Sequence, residues 1–197
     1  MPHKKRITHK SGLYFITFTC FQWRPLIEIS GAYSSVYKWF DQLKLQGHRL
    51  SAFAIMPNHI HVLIHFAESE KSINTIVGDG KRFIAYEIVN SLESKDDWKL
   101  LNQLRIAVAP HNTRKNQRHI VWKESFDWKR CETRPFAYQK LVYINANPCK
   151  GKWKLAKDVS AYEHCSARFY ICGRHAAYKV VDVDTILMEM NRERVLR

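Results

Sequence analysis

The chain has 197 residues, of which 46% are hydrophobic, enough for one domain with a sizeable core. Its formal net charge of +14 points to a polyanionic partner, nucleic acid first of all, against the plainer reading of a generally basic surface that favours solubility. Five cysteines, odd in number and without a C-x-x-C pair, exclude a disulfide framework and fit reduced thiols in a cytoplasm. The basic start Met1-Pro2-His3-Lys4-Lys5-Arg6 precedes no long apolar stretch. No segment approaches the roughly 18 apolar residues of a membrane span, so neither secretion nor a membrane is expected.

Leu13 to Phe21, rich in aromatic and β-branched residues, reads as a first strand. Gly31 opens a helix to about Gln46, with Val36, Phe40 and Leu43 at helical spacing and Gly47 as its stop. Leu50 to Met56 is a second strand, Pro57-Asn58 a turn, and His59 to Phe66 a third strand, together a hairpin. Lys71 to Leu92 carries a helical pattern interrupted by Gly78-Asp79-Gly80, which marks a break or a new helix start. Asp96 to Gln117 is polar and reads as a loop region, with Leu104 to Ala109 a short strand or packed connector. His119 to Trp122 begins another strand, continuing through Phe126 to Lys129, and Pro135 to Asn147 forms a helix ended by Pro148. Tyr178 to Met190 reads as strand then helix. The order predicts an α+β fold of ferredoxin-like type, an antiparallel sheet with helices on one face, plus a basic C-terminal extension. Residues 1–150 form the main domain and residues 151–197 the extension.

Two segments carry chemistry. In His59-Ile60-His61 the two imidazoles project from one strand face, while Ile60, Val62 and Ile64 form an apolar row on the other. Ten histidines yield roughly half an H-x-H pair by chance, so this pair needs support. It comes from Tyr143 and Asn147, four apart on one helix face, a phenol and an amide that can look together into one site. Two imidazoles and an amide oxygen suit a divalent ion, and the phenol beside it suits a metal-assisted nucleophile. Each residue also has a plainer reading: turn histidines, a core tyrosine with Tyr138 as its competitor, and a helix-ending asparagine. His65 shares the strand face but lies too far along to join the set. Trp23-Arg24, Trp122-Lys123, Trp128-Lys129-Arg130 and Trp153-Lys154 could stack on unpaired bases, although most such rings serve a core.

With Met56-Pro57-Asn58 before the histidines, Tyr143-Ile144-x-x-Asn147-Pro148, and Asp158 to Ala167 downstream, the chain resembles the REP-associated branch of the single-tyrosine HUH transposases over residues 13 to about 170. The resemblance implies a ferredoxin-like nuclease domain acting on single-stranded DNA with hairpins. It also implies His59 and His61 as the metal pair, Asn147 as third ligand and Tyr143 as nucleophile. The activity implied is a DNA endonuclease and strand transferase using Mg²⁺ or Mn²⁺ and a covalent 5′-phosphotyrosine. Lys4, Lys5, Arg6, Lys150, Lys152 and Lys154 are then expected phosphate contacts, and a monomer is favoured over a dimer. Cys149-Lys150-Gly151-Lys152 and the region beyond Tyr170 depart from the branch. Two rivals share the features: a non-catalytic single-stranded nucleic-acid-binding regulator, and a metal-dependent hydrolase that forms no adduct.

Overall fold

In a computed structural model, which describes residues 6–109 and 117–195, four strands form one antiparallel sheet ordered β2-β3-β1-β4. They are β1 (Gly12–Thr19), β2 (Arg49–Met56), β3 (His59–Phe66) and β4 (Asp127–Arg130). Helices α1 (Leu26–Ser30) and α2 (Tyr33–Leu45) join β1 to β2, and α3 (Ile73–Ser94) and α4 (Trp98–Ile106) join β3 to β4. Two sequential strands flanked by crossovers, with β1 and β3 central, is the ferredoxin-like arrangement the residue order predicts. After β4 come α5 (Arg134–Ala146), α6 (Ala167–Cys172) and α7 (Val183–Val195).

Strand alternation divides the core in two. Tyr14, Ile16, Phe18, Phe53, Ile55, Ile60, Val62, Ile64 and Phe66 point to the face covered by α2, α3 and α4. Leu13, Phe15, Ala54 and Leu63 point to the other face, where Ala137, Leu141 and Ile144 of α5 and Val183, Ile186 and Leu187 of α7 cover them. The expected one-sided helical layer is therefore present, and the reverse face is covered as well. The C-terminal segment is stitched to β2 by Ile55 N–H to His164 O (2.9 Å), Ser166 N–H to Phe53 O (2.9 Å) and Val181 N–H to Leu50 O (2.9 Å). Arg134 pairs with Asp184 and Arg49 with Glu189, tying α7 to α5 and to the sheet.

Several local expectations are corrected. Gly78-Asp79-Gly80 breaks nothing: α3 runs through it for 22 residues. Gly80 is there because Trp39 of α2 lies against it; a Cβ at this position would stand 2.2 Å from Trp39 Nε1. The Asp96–Gln117 loop instead contains α4, capped by the Asp97 side chain on Leu100 N–H and anchored by buried Leu100, Leu101 and Leu104. The segment Leu104 to Ile106 is the last turn of that helix. His119 to Trp122 forms no strand, only a bridge between Trp122 and Cys20, and Tyr178 to Val181 contributes no strand to the sheet.

The two glycines of α3 give a paired test. An alanine at exposed Gly78 meets nothing within 4 Å and should stabilise by up to about 1 kcal/mol through helix propensity. Gly80→Ala gains the same propensity but forces the buried Trp39 ring aside, an overpacking cost of about 1–3 kcal/mol. The expected result is a lowered Tm for Gly80→Ala beside an equal or raised one for Gly78→Ala, read by thermal denaturation.

Candidate active site

The hairpin turn fixes the histidines. Pro57 O accepts from Ile27 N–H (3.1 Å) and Asn58 O accepts from Cys20 N–H (2.8 Å), so β3 starts from an anchored point. His59 and His61 then fall on the α5 face, paired across the sheet with Thr19 and Thr17, and Thr17 is in turn paired with Asp127. Their ring centroids are 4.6 Å apart.

The Nδ1 atom of each ring is engaged. Asn58 Nδ2 donates to Trp23 O (2.9 Å), which turns Asn58 Oδ1 toward His59 Nδ1 at 2.7 Å. That nitrogen therefore carries the proton, and His59 Nε2 keeps its lone pair. His61 Nδ1 lies 2.6 Å from Thr17 Oγ1, and its ring stacks on Phe15 at 5.7 Å. His61 Nε2 is buried with no hydrogen-bond partner among the described residues. A buried imidazole nitrogen without a partner is costly unless something binds it. Burial lowers the pKa of His59 to about 4, partly offset by a hydrogen bond with the Asn147 side chain; burial, then the proximity of His59, lowers that of His61 to about 3. Both rings are neutral at physiological pH, the form that ligates metals.

Helix α5 carries the other two residues. Thr133 precedes it and Pro135 sits in its first turn, where the missing N–H costs nothing. Ala137, Leu141 and Ile144 bury one stripe, leaving Tyr143 at its edge, 47% exposed. The Tyr143 ring lies 5.2 Å from His61 and 5.8 Å from Phe15, edge-on to both. Asn147 keeps helical φ/ψ and opens a 3-10 turn, so it stays in phase with Tyr143 and reaches His59. The rival Tyr138 faces elsewhere and donates to Asp184 Oδ2 at 2.6 Å. His65 lies beside Arg49, 3.5 Å from its guanidinium, at the far end of β3.

Phe15, His59, His61 and Tyr143 line a cavity of about 520 Å³ with Thr17, Thr19, Trp23, Lys123, Ser125, Asp127 and Lys140, and Asn147 stands outside that lining. Lys140 is one turn before Tyr143 on the same helix face, a spacing the sequence displays and that could have marked it. Lys123, Thr17 and Asp127 are brought in by sheet pairing and a connecting segment, with no local signal. Of the expected phosphate contacts, Lys150, Lys152 and Lys154 are exposed just beyond Asn147, and Arg6 is exposed. Lys4 and Lys5 lie outside the described residues.

A solved structure of a REP-associated tyrosine transposase bound to a REP hairpin is similar to this chain, with a TM-score of 0.57 and 16% identity over 93% of each chain. The chain has the fold of that transposase. A predicted transposase from Deinococcus radiodurans R1 gives a TM-score of 0.37 at 14% identity, covering 73% of this chain and 95% of its own. No protein-family model matches the sequence, and no curated protein aligns with it significantly. In this fold the face opposite the paired helices α2 and α3 holds the histidines, and α5 lies over them. No helix among the described residues is long and apolar enough to cross a membrane.

The residues present fit a divalent ion. Two neutral imidazoles, one with a buried Nε2 that has no partner among the described residues, and the amide side chain of Asn147 near His59 make a mixed nitrogen and oxygen donor set. No cluster of three or more His, Cys, Asp or Glu occurs among the described residues, so an ion here would depend on Asn147 to complete the protein ligands.

The depressed imidazoles have a consequence for stability. In the unfolded chain both rings protonate near pH 6.5, in the folded protein only near 4 and 3. Between these values the unfolded state binds more protons, so stability is complete above pH 6.5 and is lost as pH falls, by roughly 1.4 kcal/mol per ring and pH unit. Metal-free protein should show a steep drop in Tm from pH 6.5 to 4, and a His59→Asn, His61→Asn double variant a shallower one. Equal slopes would rule out these rings as the source.

Proposed function

We propose that this protein is a metal-dependent single-stranded DNA endonuclease and strand transferase, transposase-like, cutting hairpin-containing DNA through a covalent 5′-phosphotyrosine. The observation that carries the reading is the half-exposed Tyr143 standing 5.2 Å from a buried, neutral His61 whose Nε2 has no partner among the described residues. The hairpin substrate is suggested by the REP hairpin bound to the structurally similar transposase.

His59, His61 and Asn147 would hold Mg²⁺ or Mn²⁺. When bound, the ion supplies Lewis-acid polarisation of the scissile phosphate and offsets its charge. Tyr143 Oη attacks phosphorus, an O–P bond forms, the phenolic proton passes to solvent or a neighbouring base, and the P–O3′ bond breaks to leave a 3′-hydroxyl once protonated. Lys140, lining the same cavity one turn away, would offset the negative charge of the bound phosphate. Thr17 and Asn58 orient the imidazoles from behind, and the Phe15 ring holds His61 in place. The phosphotyrosine conserves the energy of the cleaved linkage, so a 3′-hydroxyl can attack it and rejoin strands without ATP.

Tyr143 stands beside the histidines of its own chain, so the tyrosine would act in its own subunit, and a monomer is the state proposed. Residues 1–150 would carry the catalysis. Residues 151–197 would serve as the basic extension, its Lys152 and Lys154 meeting backbone phosphates together with Lys150 at the end of the catalytic domain, with Lys4, Lys5 and Arg6 doing the same from the N-terminus.

The test is incubation of the protein with a labelled hairpin oligonucleotide bearing single-stranded flanks and Mg²⁺ or Mn²⁺, followed by a denaturing gel and peptide mass spectrometry. A metal-dependent adduct on Tyr143 is the expected outcome. Cleavage without adduct would make it a hydrolase, and tight binding without cleavage a binding protein.

A further inference from the structure

Trp23 sits at the rim of the catalytic cavity in an unusual setting. Gln22 and Trp23 both have left-handed backbone, with φ of 52° and 59°, a conformation that non-glycine residues seldom adopt and that bulky ones adopt least. The turn is held by Trp23 N–H to Cys20 O (3.0 Å), Arg24 N–H to Phe21 O (3.1 Å) and Asn58 Nδ2 to Trp23 O (2.9 Å). Its effect is to leave a tryptophan 51% exposed instead of buried, edge-on to His59 at 5.8 Å. Lys123 Nζ lies 4.3 Å above the indole, and both residues line the cavity. Lys123 is itself placed by its N–H bond to Thr19 O (2.9 Å), at the strand end opposite His59. By contrast, Trp39 and Trp122 are buried in the core.

We propose that Trp23 and Lys123 form a nucleotide subsite beside the catalytic residues. The indole stacks on an unpaired base adjoining the scissile phosphate, and the Lys123 ammonium, on its flexible stem, neutralises a neighbouring phosphate. An exposed aromatic face paired with a mobile cation is the chemistry that takes single-stranded nucleic acid with little dependence on base identity. The subsite would fix which phosphate lies before Tyr143 by gripping the nucleotide next to it. This inference rests on the single-stranded DNA reading above.

The two readings are tested so that they fail separately. In a Tyr143→Phe background, with EDTA present, binding is measured to hairpin oligonucleotides carrying a single abasic site at each flanking position in turn. One or two positions should weaken binding roughly 5- to 100-fold. That penalty should persist with Trp23→Phe, which keeps a π-face, and vanish with Trp23→Leu, which fills the space without one. Lys123→Met should lower the slope of log affinity against log salt by about 1. Equal abasic profiles for Trp23→Leu and Trp23→Phe would overturn the subsite. If the profiles differ but unmodified Tyr143 forms no adduct with Mg²⁺ or Mn²⁺, the subsite stands and the transferase reading falls.

Discussion

Tyr143→Phe is expected to remove covalent adduct formation and to slow strand cleavage on the order of 10⁴-fold or more, since it deletes the oxygen proposed to attack phosphorus. The substitution deletes one oxygen and leaves the ring edge-on to Phe15 and His61. Because the side chain is half exposed, stability should change by no more than about 0.5 kcal/mol and DNA affinity should be retained. Adduct formation on a denaturing gel, thermal denaturation and equilibrium binding read the three effects independently. Cleavage that survives at more than a few per cent of the wild-type rate would assign Tyr143 a phosphate-binding role.

The second large effect is expected at His61. Replacing it with alanine takes away the ring whose Nε2 is buried without a partner and should reduce Mn²⁺ affinity and cleavage together by about 10³-fold. The magnitude is set against the 10- to 100-fold typical of losing an outer partner of a ligand. Thr17→Val, which removes only the group 2.6 Å from His61 Nδ1, should show that smaller loss. Titration of metal-free protein with Mn²⁺, followed by calorimetry or electron paramagnetic resonance, ranks wild type, Thr17→Val and His61→Ala in that order. His61→Ala also empties a buried position stacked on Phe15 at 5.7 Å, so its Tm should fall. Metal titration at a temperature well below that Tm keeps the two losses apart. Unchanged Mn²⁺ binding in His61→Ala would remove His61 from the ligand set.

Much of the site was legible because its signals are local. Two residues apart on a strand and four apart on a helix are fixed geometric relations, so His59 with His61 and Tyr143 with Asn147 share faces whatever else the chain does. The β2-β3 hairpin was legible for the same reason, with Pro57-Asn58 between two apolar strands. Misreadings arose where local chemistry is ambiguous. Gly78 and Gly80 resemble helix breakers, yet Gly80 answers a contact with Trp39, 41 residues away in sequence, that no local pattern announces. The α4 segment exposes Lys99, Asn102 and Arg105 beside Trp98 and Ile106, which blurs its helical pattern, and owes its helix to an Asp97 cap and three buried leucines. Tyr178 looks strand-like but packs its ring parallel to that of Tyr37, 5.6 Å away, and donates to Asp41 Oδ1.

From its residue order alone the chain carried its fold class, its basic character and two pairs of chemically apt side chains, each pair held together by the period of its own element. Folding was needed to bring one pair against the other. The sheet order β2-β3-β1-β4 puts Thr17 between His61 and Asp127, and the buried stripe of α5 seats Tyr143 over β3. Folding also desolvates the imidazoles, leaves His61 Nε2 without a partner among the described residues, and recruits Lys123, Lys140 and Trp23 to the cavity. These are relations between elements distant in sequence, set by which apolar faces must be buried together, and burial is a property of the whole packed chain.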